Sequence, residues 1–194
     1  MNITTDMVKK LRDQTGVSVM QCKAALEEAD GDVKKALLIL SKKGGALAEK
    51  KADRSLGAGT VAAYVHANKE VASLVLLRSE TDFVSKNEEF MNLAREIALQ
   101  VAATNPQYVR REDIPVEQME NIKGLFIKEV DGKPDNLKET ILAGKVDAYL
   151  KGIVLIEQEY IKDSEKTIRG LLEAAVQKFG ERIDIEKFTR FSTK

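Results

Sequence analysis

The sequence predicts an α+β protein: short helices at the N-terminus, then a core in which a small, mostly antiparallel sheet is covered by helices. Three observations carry this. Apolar residues in the first 45 positions recur at spacings of three and four, the helical period. From Gly57 onward the pattern switches to alternation over two short runs, the period of strands. Long helical stretches then return, and the chain closes on another alternating run.

The elements follow in order. Met7, Val8 and Leu11 stripe a first helix that Gly16 stops. Ser18 followed by Gln21 is a capping-box pattern opening a second, which carries Met20, Ala24 and Ala29 near helical spacing. Asp32 caps a third, with Val33, Ala36, Leu37 and Leu40 on one side and Gly44-Gly45 read as its end. Three helices this short enclose a marginal core, which suits a docking module better than a catalytic one. Ala46 to Arg54 reads as an alternating-charge helical linker ended by Gly57 and Gly59. The chain is therefore expected to divide into residues 1–54, three helices plus linker, and residues 55–194, the α+β core.

In the core, Val61, Ala63 and Val65 form the apolar side of a half-buried strand, with Thr60, Ala62, Tyr64 and His66 on the other side. Asn68-Lys69 makes a turn to a more buried strand, Val71 to Leu77, completing a β-hairpin. Ser85 with Glu88 is a second capping-box pattern, opening a helix to about Thr104 with Phe90, Leu93, Ala94, Ile97 and Val101 on one face. A helix after Pro115 turns Met119, Ile122 and Phe126 inward and ends before Asp131-Gly132. Another runs from about Asp135 to Lys151, and Gly152 to Ile161 is irregular or a short strand. Ile168, Leu171, Leu172, Ala175, Val176 and Phe179 mark the last helix, stopped by Gly180. Arg182 to Phe191 is the closing strand, with Ile183 and Ile185 sharing a face.

Composition narrows the function. Basic and acidic residues number 31 each, so no basic excess advertises a phosphate backbone. The densest basic run, Lys42, Lys43, Lys50, Lys51 and Arg54, is interrupted by Glu49 and Asp53 and reads as a solvated face. Tyr64, Tyr108, Tyr149 and Tyr160 show no interleaving with basic residues, so direct nucleic-acid binding is not expected. One cysteine, Cys22, excludes an internal disulfide and fits a reducing compartment. With His66 the only histidine, Cys–His catalysis and a protein-built zinc site are starved of ligands, and no metal or cofactor is expected. There is no basic-then-apolar leader, and Val71 to Leu77 falls far short of the ~20 residues that span a bilayer; a cytoplasmic location without membrane attachment is the expectation.

Catalytic motifs are equally scarce. Neither a GxGxxG nor a GxxxxGK[ST] segment is present, and Lys43-Gly44-Gly45 is better taken as a helix stop. The carboxylates lie near basic partners on predicted helix surfaces, so no acid–base pair stands out and no catalytic residue is named.

Two places invite a binding reading instead. Between the second strand and the helix assigned to Ser85 lies Glu80-Thr81-Asp82-Phe83-Val84, a carboxylate and a large aromatic at a strand-to-helix corner. Phe83 either folds back against Phe90 or projects as an aromatic anchor for a partner's pocket. A hydrophobic staple would pair Val84 with residue 89, but that residue is Glu89, so the local explanation is weakened. In the second helix Val19 and Met20 are either core or surface. Adjacent helical residues do not point the same way, so one of the two is expected to face out beside Arg12 and Lys23.

These same residues carry a resemblance. The segments Leu11-Arg12-Asp13-Gln14-Thr15-Gly16, Met20-Gln21-Cys22-Lys23-Ala24-Ala25-Leu26 and Gly31-Asp32-Val33-Lys34-Lys35-Ala36 resemble the N-terminal domain of elongation factor Ts. Thr81-Asp82-Phe83-Val84 is similar to that family's most recognisable motif, and the likeness runs on through Asn105-Pro106, Glu157-Gln158 and Lys162-Asp163 to Phe188-Thr189-Arg190-Phe191. It covers essentially the whole chain, in the family's short form.

The resemblance implies a ubiquitin-associated-like three-helix domain, an α+β core, and the GTPase elongation factor Tu as partner. It implies that Arg12, Val19, Met20 and Lys23 dock the GTPase. Thr81, Asp82, Phe83 and Val84 would disturb its magnesium and phosphate site so that GDP leaves. The competing reading from another class is an adaptor, its three-helix domain binding other proteins and its core serving as scaffold. Some residues depart from the family's pattern. Thr189 stands where short-form relatives can carry a subunit-linking cysteine, so a homodimer would have no disulfide link. Gln100 stands where relatives often have a histidine, which puts one secondary contact in doubt, and Arg78-Ser79 replace smaller or less charged residues before the motif.

Overall fold

A computed structural model of the chain describes residues 3–130 and 134–194. In chain order it comprises α1 (Thr5–Thr15), α2 (Val19–Glu28), α3 (Val33–Lys50), β1 (Ala58–Val65), β2 (Val71–Ser79) and α4 (Asp82–Ser85). There follow α5 (Glu88–Thr104), α6 (Val116–Val130), α7 (Asp135–Ile153), β3 (Glu159–Tyr160), β4 (Asp163–Thr167), α8 (Ile168–Phe179) and β5 (Ile183–Ser192). The strands form one sheet in the order β1-β2-β5 and a separate antiparallel pair, β3 with β4. This is the α+β class that the periodicities predict. The expected helix end at Asp131-Gly132 lies outside the described residues.

The fold separates into two compact units. One is Met1–Ala62, Leu76–Ala94 and Arg169–Glu186; the other is Ala63–Val75, Arg95–Ile168 and Lys187–Lys194.

In the first unit the three N-terminal helices are started and stopped as their residues dictate. The hydroxyls of Thr4 and Ser18 accept the amides of Met7 and Gln21, each at 3.3 Å, and the Asp32 carboxylate accepts that of Lys35 at 3.1 Å. Gly16 ends α1 at φ 68°, a left-handed geometry that a Cβ disfavours. Val8, Leu11, Val17, Cys22, Ala25, Leu26, Ala29, Ala36 and Leu40 fill the core between them. The expected stripe on α2 is corrected: Cys22, Ala25, Leu26 and Ala29 face inward, while Met20 and Ala24 face solvent. Cysteine acts here as a small buried hydrophobe, its Sγ 3.6 Å from the Val17 carbonyl.

Gly44-Gly45 does not end α3, which continues to Lys50. A Cβ at Gly44 would lie 3.2 Å from the Glu173 carbonyl oxygen of α8. The glycine therefore permits close helix packing, a tertiary requirement with the same sequence signature as a stop. Nearby, Gln177 donates to Gln21 at 3.0 Å, joining α8 to α2.

The hairpin forms where predicted, with Lys69 at φ 61° in its turn and the His66 amide donating to the Val71 carbonyl at 2.9 Å. Its facing is the reverse of the expectation. Val61, Ala63 and Val65 point to solvent, whereas Ala62 is buried and Thr60 and Tyr64 half-buried. A strand's side-chain period is two, so choosing the other face inverts every residue at once. On β2, within the second unit, the buried Ser73 hydroxyl donates to the Ala98 carbonyl of α5 at 2.6 Å.

That second unit is knit by polar groups as well as by Ile97, Val101, Leu150 and Leu155. Gln100, fully buried, donates to the Gln158 side chain at 3.1 Å and the Glu159 carbonyl at 3.0 Å, and accepts the Ile161 amide at 3.0 Å. Gln158 in turn donates to the Gly152 carbonyl and accepts the Thr104 hydroxyl. Gln100 is thus a satisfied core residue that anchors the turn after α7. Arg111 bridges Glu157 and Asp147 at 2.6 and 2.5 Å, and these two carboxylates raise its pKa above the ordinary arginine value.

Candidate partner-binding site

Strand β2 ends at Ser79, which is fully buried, and the chain then turns sharply. The Ser79 hydroxyl donates to the Thr81 carbonyl two residues on, at 2.9 Å. Thr81 is extended, φ −123° and ψ 158°, and initiates the single turn α4. The Ser85, Lys86 and Asn87 amides donate to the carbonyls of Thr81, Asp82 and Val84, at 3.3, 3.1 and 3.0 Å.

Ser85 is consequently not the cap of the following helix, as the sequence suggested. It is buried, and its hydroxyl donates to the Asp82 carbonyl at 3.2 Å. Asn87 caps α5 instead, its side-chain oxygen accepting the Glu89 amide at 2.9 Å.

The turn presents Phe83. That side chain is 90% exposed, whereas Phe90, seven residues later, is completely buried edge-on against Phe179 with centroids 6.2 Å apart. The fold-back of Phe83 onto Phe90 is thereby excluded. Burying a phenylalanine gains about 1.5–3 kcal/mol, a stabilisation this fold forgoes at Phe83. Val84, by contrast, faces inward and packs the base of the turn. Asp82 is exposed beside Phe83 and pairs with Lys86 at 2.7 Å, which holds its carboxyl below the usual aspartate range.

The turn is braced from elsewhere in the chain. Glu181 accepts both donors of Thr81, the amide at 3.0 Å and the hydroxyl at 2.6 Å. Glu80 accepts the Arg182 amide at 2.6 Å and pairs with Arg54 at 3.2 Å. Those contacts, the Arg182 amide foremost, lower the Glu80 pKa. Arg78 donates to the carbonyls of Ala58 and Leu56, at 2.9 and 2.6 Å, and to Glu186 at 2.8 Å. The unusual Arg78-Ser79 pair thus fastens the strand end from which the turn departs.

The other predicted set lies on the corner between α1 and α2. Arg12, in the last turn of α1, and Val19, Met20 and Lys23, at the start of α2, are all exposed, Met20 by 82%. The expectation that only one of Val19 and Met20 faces out is corrected. The core of this unit takes Val17 and Cys22 instead, which leaves both neighbours free. Lys23 pairs with Glu27 at 3.7 Å on the surface.

The family model described as Elongation factor TS matches residues 2–194. The chain belongs to the elongation factor Ts family. It is 46% identical to Elongation factor Ts of Thermotoga petrophila over 191 residues, 98% of this chain and 96% of that protein. The corresponding protein of Thermodesulfovibrio yellowstonii is 45% identical over 98% of this chain and 96% of its own length. That of Carboxydothermus hydrogenoformans is 45% identical over 97% of this chain and 88% of its own. The chain is thus similar over its length to elongation factors of translation.

Among the described residues, no group of three or more His, Cys, Asp and Glu is placed to hold a metal ion, and no helix is long and apolar enough to cross a membrane. Sequence reasoning for this elongation factor Ts family member named Thr81 to Val84 and noted Arg78 as unusual, but missed Glu181 and Arg182 as braces of the turn. No local pattern marks them, because their partners lie about 100 positions away.

Proposed function

We propose that the protein is a guanine-nucleotide exchange factor for elongation factor Tu, acting in the cytoplasm with Phe83 as its wedge. The observation that carries this reading is a large aromatic side chain 90% exposed on a turn held by hydrogen bonds from Ser79 just before it and from the distant Glu181-Arg182 segment. Such a residue gains its burial energy only inside a partner.

A GTPase holds its nucleotide through backbone donors and a magnesium ion whose coordination tolerates little displacement. A ring inserted between helices beside that site shifts those groups and weakens nucleotide binding without touching the nucleotide. Asp82, ionised and next to the ring, brings negative charge to the same place. Linkage is reciprocal, so bound nucleotide weakens this protein's hold by the same factor, and the exchanger leaves once GTP has entered. No bond in the exchanger forms or breaks, and the role needs no catalytic residue. In this reading residues 1–54 dock the GTPase, with Arg12, Val19, Met20 and Lys23 as contacts, while residues 55–194 carry the wedge on Thr81, Asp82, Phe83 and Val84.

The test is release of fluorescent GDP from elongation factor Tu of the same organism, chased with excess unlabelled GDP, with and without this protein. Marked acceleration that Phe83→Ala largely abolishes is the expected result. Folded protein that leaves the release rate of an active partner unchanged would sink the proposal and favour the adaptor reading.

A further inference from the structure

We propose that Glu181 is the positioning residue for the Phe83 wedge, acting through Thr81; the assignment rests on the exchange-factor reading above. Thr81 begins the turn that bears Phe83, and the donors of its backbone and its side chain converge on one carboxylate. At the start of a helix a threonine hydroxyl ordinarily accepts an amide from its own first turn. Here it makes no such bond and donates to Glu181 instead. The start of the turn is therefore fixed against a distant segment rather than against itself.

The arrangement is reciprocal. Glu181 takes the amide of residue 81, and Glu80 takes the amide of residue 182, at 3.0 and 2.6 Å. Two carboxylates on neighbouring segments each satisfy a backbone donor of the other segment. A crossed pair resists both sliding and rotation, where a single bond would leave a pivot. Glu181 is aimed by its own surroundings: Gly180, at φ 69°, ends α8 and turns the chain, and the buried Ile183 pins it on the far side.

Phe83 sits two residues from the clamped Thr81 on a helix of one turn. With the side chain 90% exposed, its direction is set chiefly by the backbone beneath it. A wedge displaced by about an ångström loses much of its effect on the groups it must shift, while the rest of the interface still docks. Releasing the clamp is thus expected to slow exchange without comparable loss of binding.

The experiment uses the full chain and GDP release from elongation factor Tu, measured for the maximal rate and for the half-saturating concentration. Glu181→Ala is expected to lower the maximal rate about tenfold, with a change of less than about threefold in half-saturation. Glu181→Gln is expected to stay within about threefold of the parent, because its carbonyl accepts the Thr81 amide while its own amide donates to the Thr81 oxygen. Thr81→Val combined with Glu181→Ala should be no slower than Glu181→Ala alone, since both remove one interaction.

Three results would overturn the assignment: Glu181→Ala as fast as the parent; Glu181→Gln as slow as Glu181→Ala, meaning the charge acts on the partner; or a loss confined to half-saturation, meaning a docking contact. Should Glu181→Ala fail to fold, Thr81→Val carries the test, with slowing expected and the parent rate contradicting the role. Failure of the underlying reading looks different, for then the parent protein itself does not accelerate release, and the assignment falls with it.

Discussion

The Phe83 turn and the α1–α2 corner present the same kind of surface, exposed apolar side chains among charges, yet they are built in opposite ways. The corner is local. Arg12, Val19, Met20 and Lys23 lie within twelve consecutive positions, and its caps, Gly16 and Ser18, act over three or four residues. The turn is not local. Its geometry depends on Glu181 and Arg182, about 100 positions away, and on the Arg54–Glu80 pair. A surface built by local rules suits general adhesion, since small shifts in it cost little. One braced by distant segments suits a part that must push in one direction.

Several variants would break or sharpen that contrast. The largest effect is expected at Phe90, whose truncation to alanine empties a completely buried site and should cost about 3–5 kcal/mol in urea unfolding. Phe83→Ala should leave the unfolding midpoint nearly unchanged, yet lower the maximal rate of GDP release about thirtyfold or more. Loss of all affinity in that variant would make the wedge the principal anchor and remove the division of labour between the two regions.

Met20→Ala is expected to raise the half-saturating concentration about fivefold to tenfold while sparing the maximal rate, the converse of the Phe83 result. A fall in the maximal rate instead would show that the corner also works as a lever.

Gly44→Ala tests the packing beneath the N-terminal helices. Helix propensity alone would favour alanine, but the new methyl would press on the Glu173 carbonyl of α8. A net loss of about 1 kcal/mol is expected in thermal unfolding; a gain would show that α8 gives way.

The smallest effect is a pH dependence. Folding lowers the Glu80 pKa below its ordinary 4.5, chiefly through the Arg182 amide. A depressed carboxylate contributes stability that is present above its unfolded pKa and lost as pH falls through the folded one. Between about pH 5 and pH 3 the parent should therefore lose slightly more stability than Glu80→Gln. Parallel curves would mean that this arm of the brace carries no charge-dependent stabilisation.

Much of the molecule was legible in the chain. The starts of α2 and α3 were placed from their caps Ser18 and Asp32, α1 from its apolar stripe and its Gly16 stop, and Gly180 stopped α8 as expected. The readings that failed share a cause. Gly44-Gly45 looks the same as a stop and as a close-packing site. Ser85 looks like a cap whether or not the next helix begins there. The Val61-Ala63-Val65 row looks like a core face, yet the alternate residues Thr60, Ala62 and Tyr64 are the more buried ones. In each case a local pattern admits two solutions and the surroundings choose between them: at Gly44 the neighbour is the distant Glu173, whereas at Ser85 it is the nearby Asp82 carbonyl, with Asn87 taking the cap.

The candidate site divides along the same line. The amino-acid sequence by itself determined the α+β class, the helical start of the chain, the family likeness and the motif Thr81 to Val84, because periodicity, caps and motif residues act over a few positions. Only the tertiary structure decided that Phe83 stands in solvent while Phe90 is buried, that Val19 and Met20 are both free, and that Glu181 holds the turn. Burial and bracing are properties of what surrounds a residue, and those surroundings are assembled from parts of the chain that no short pattern connects.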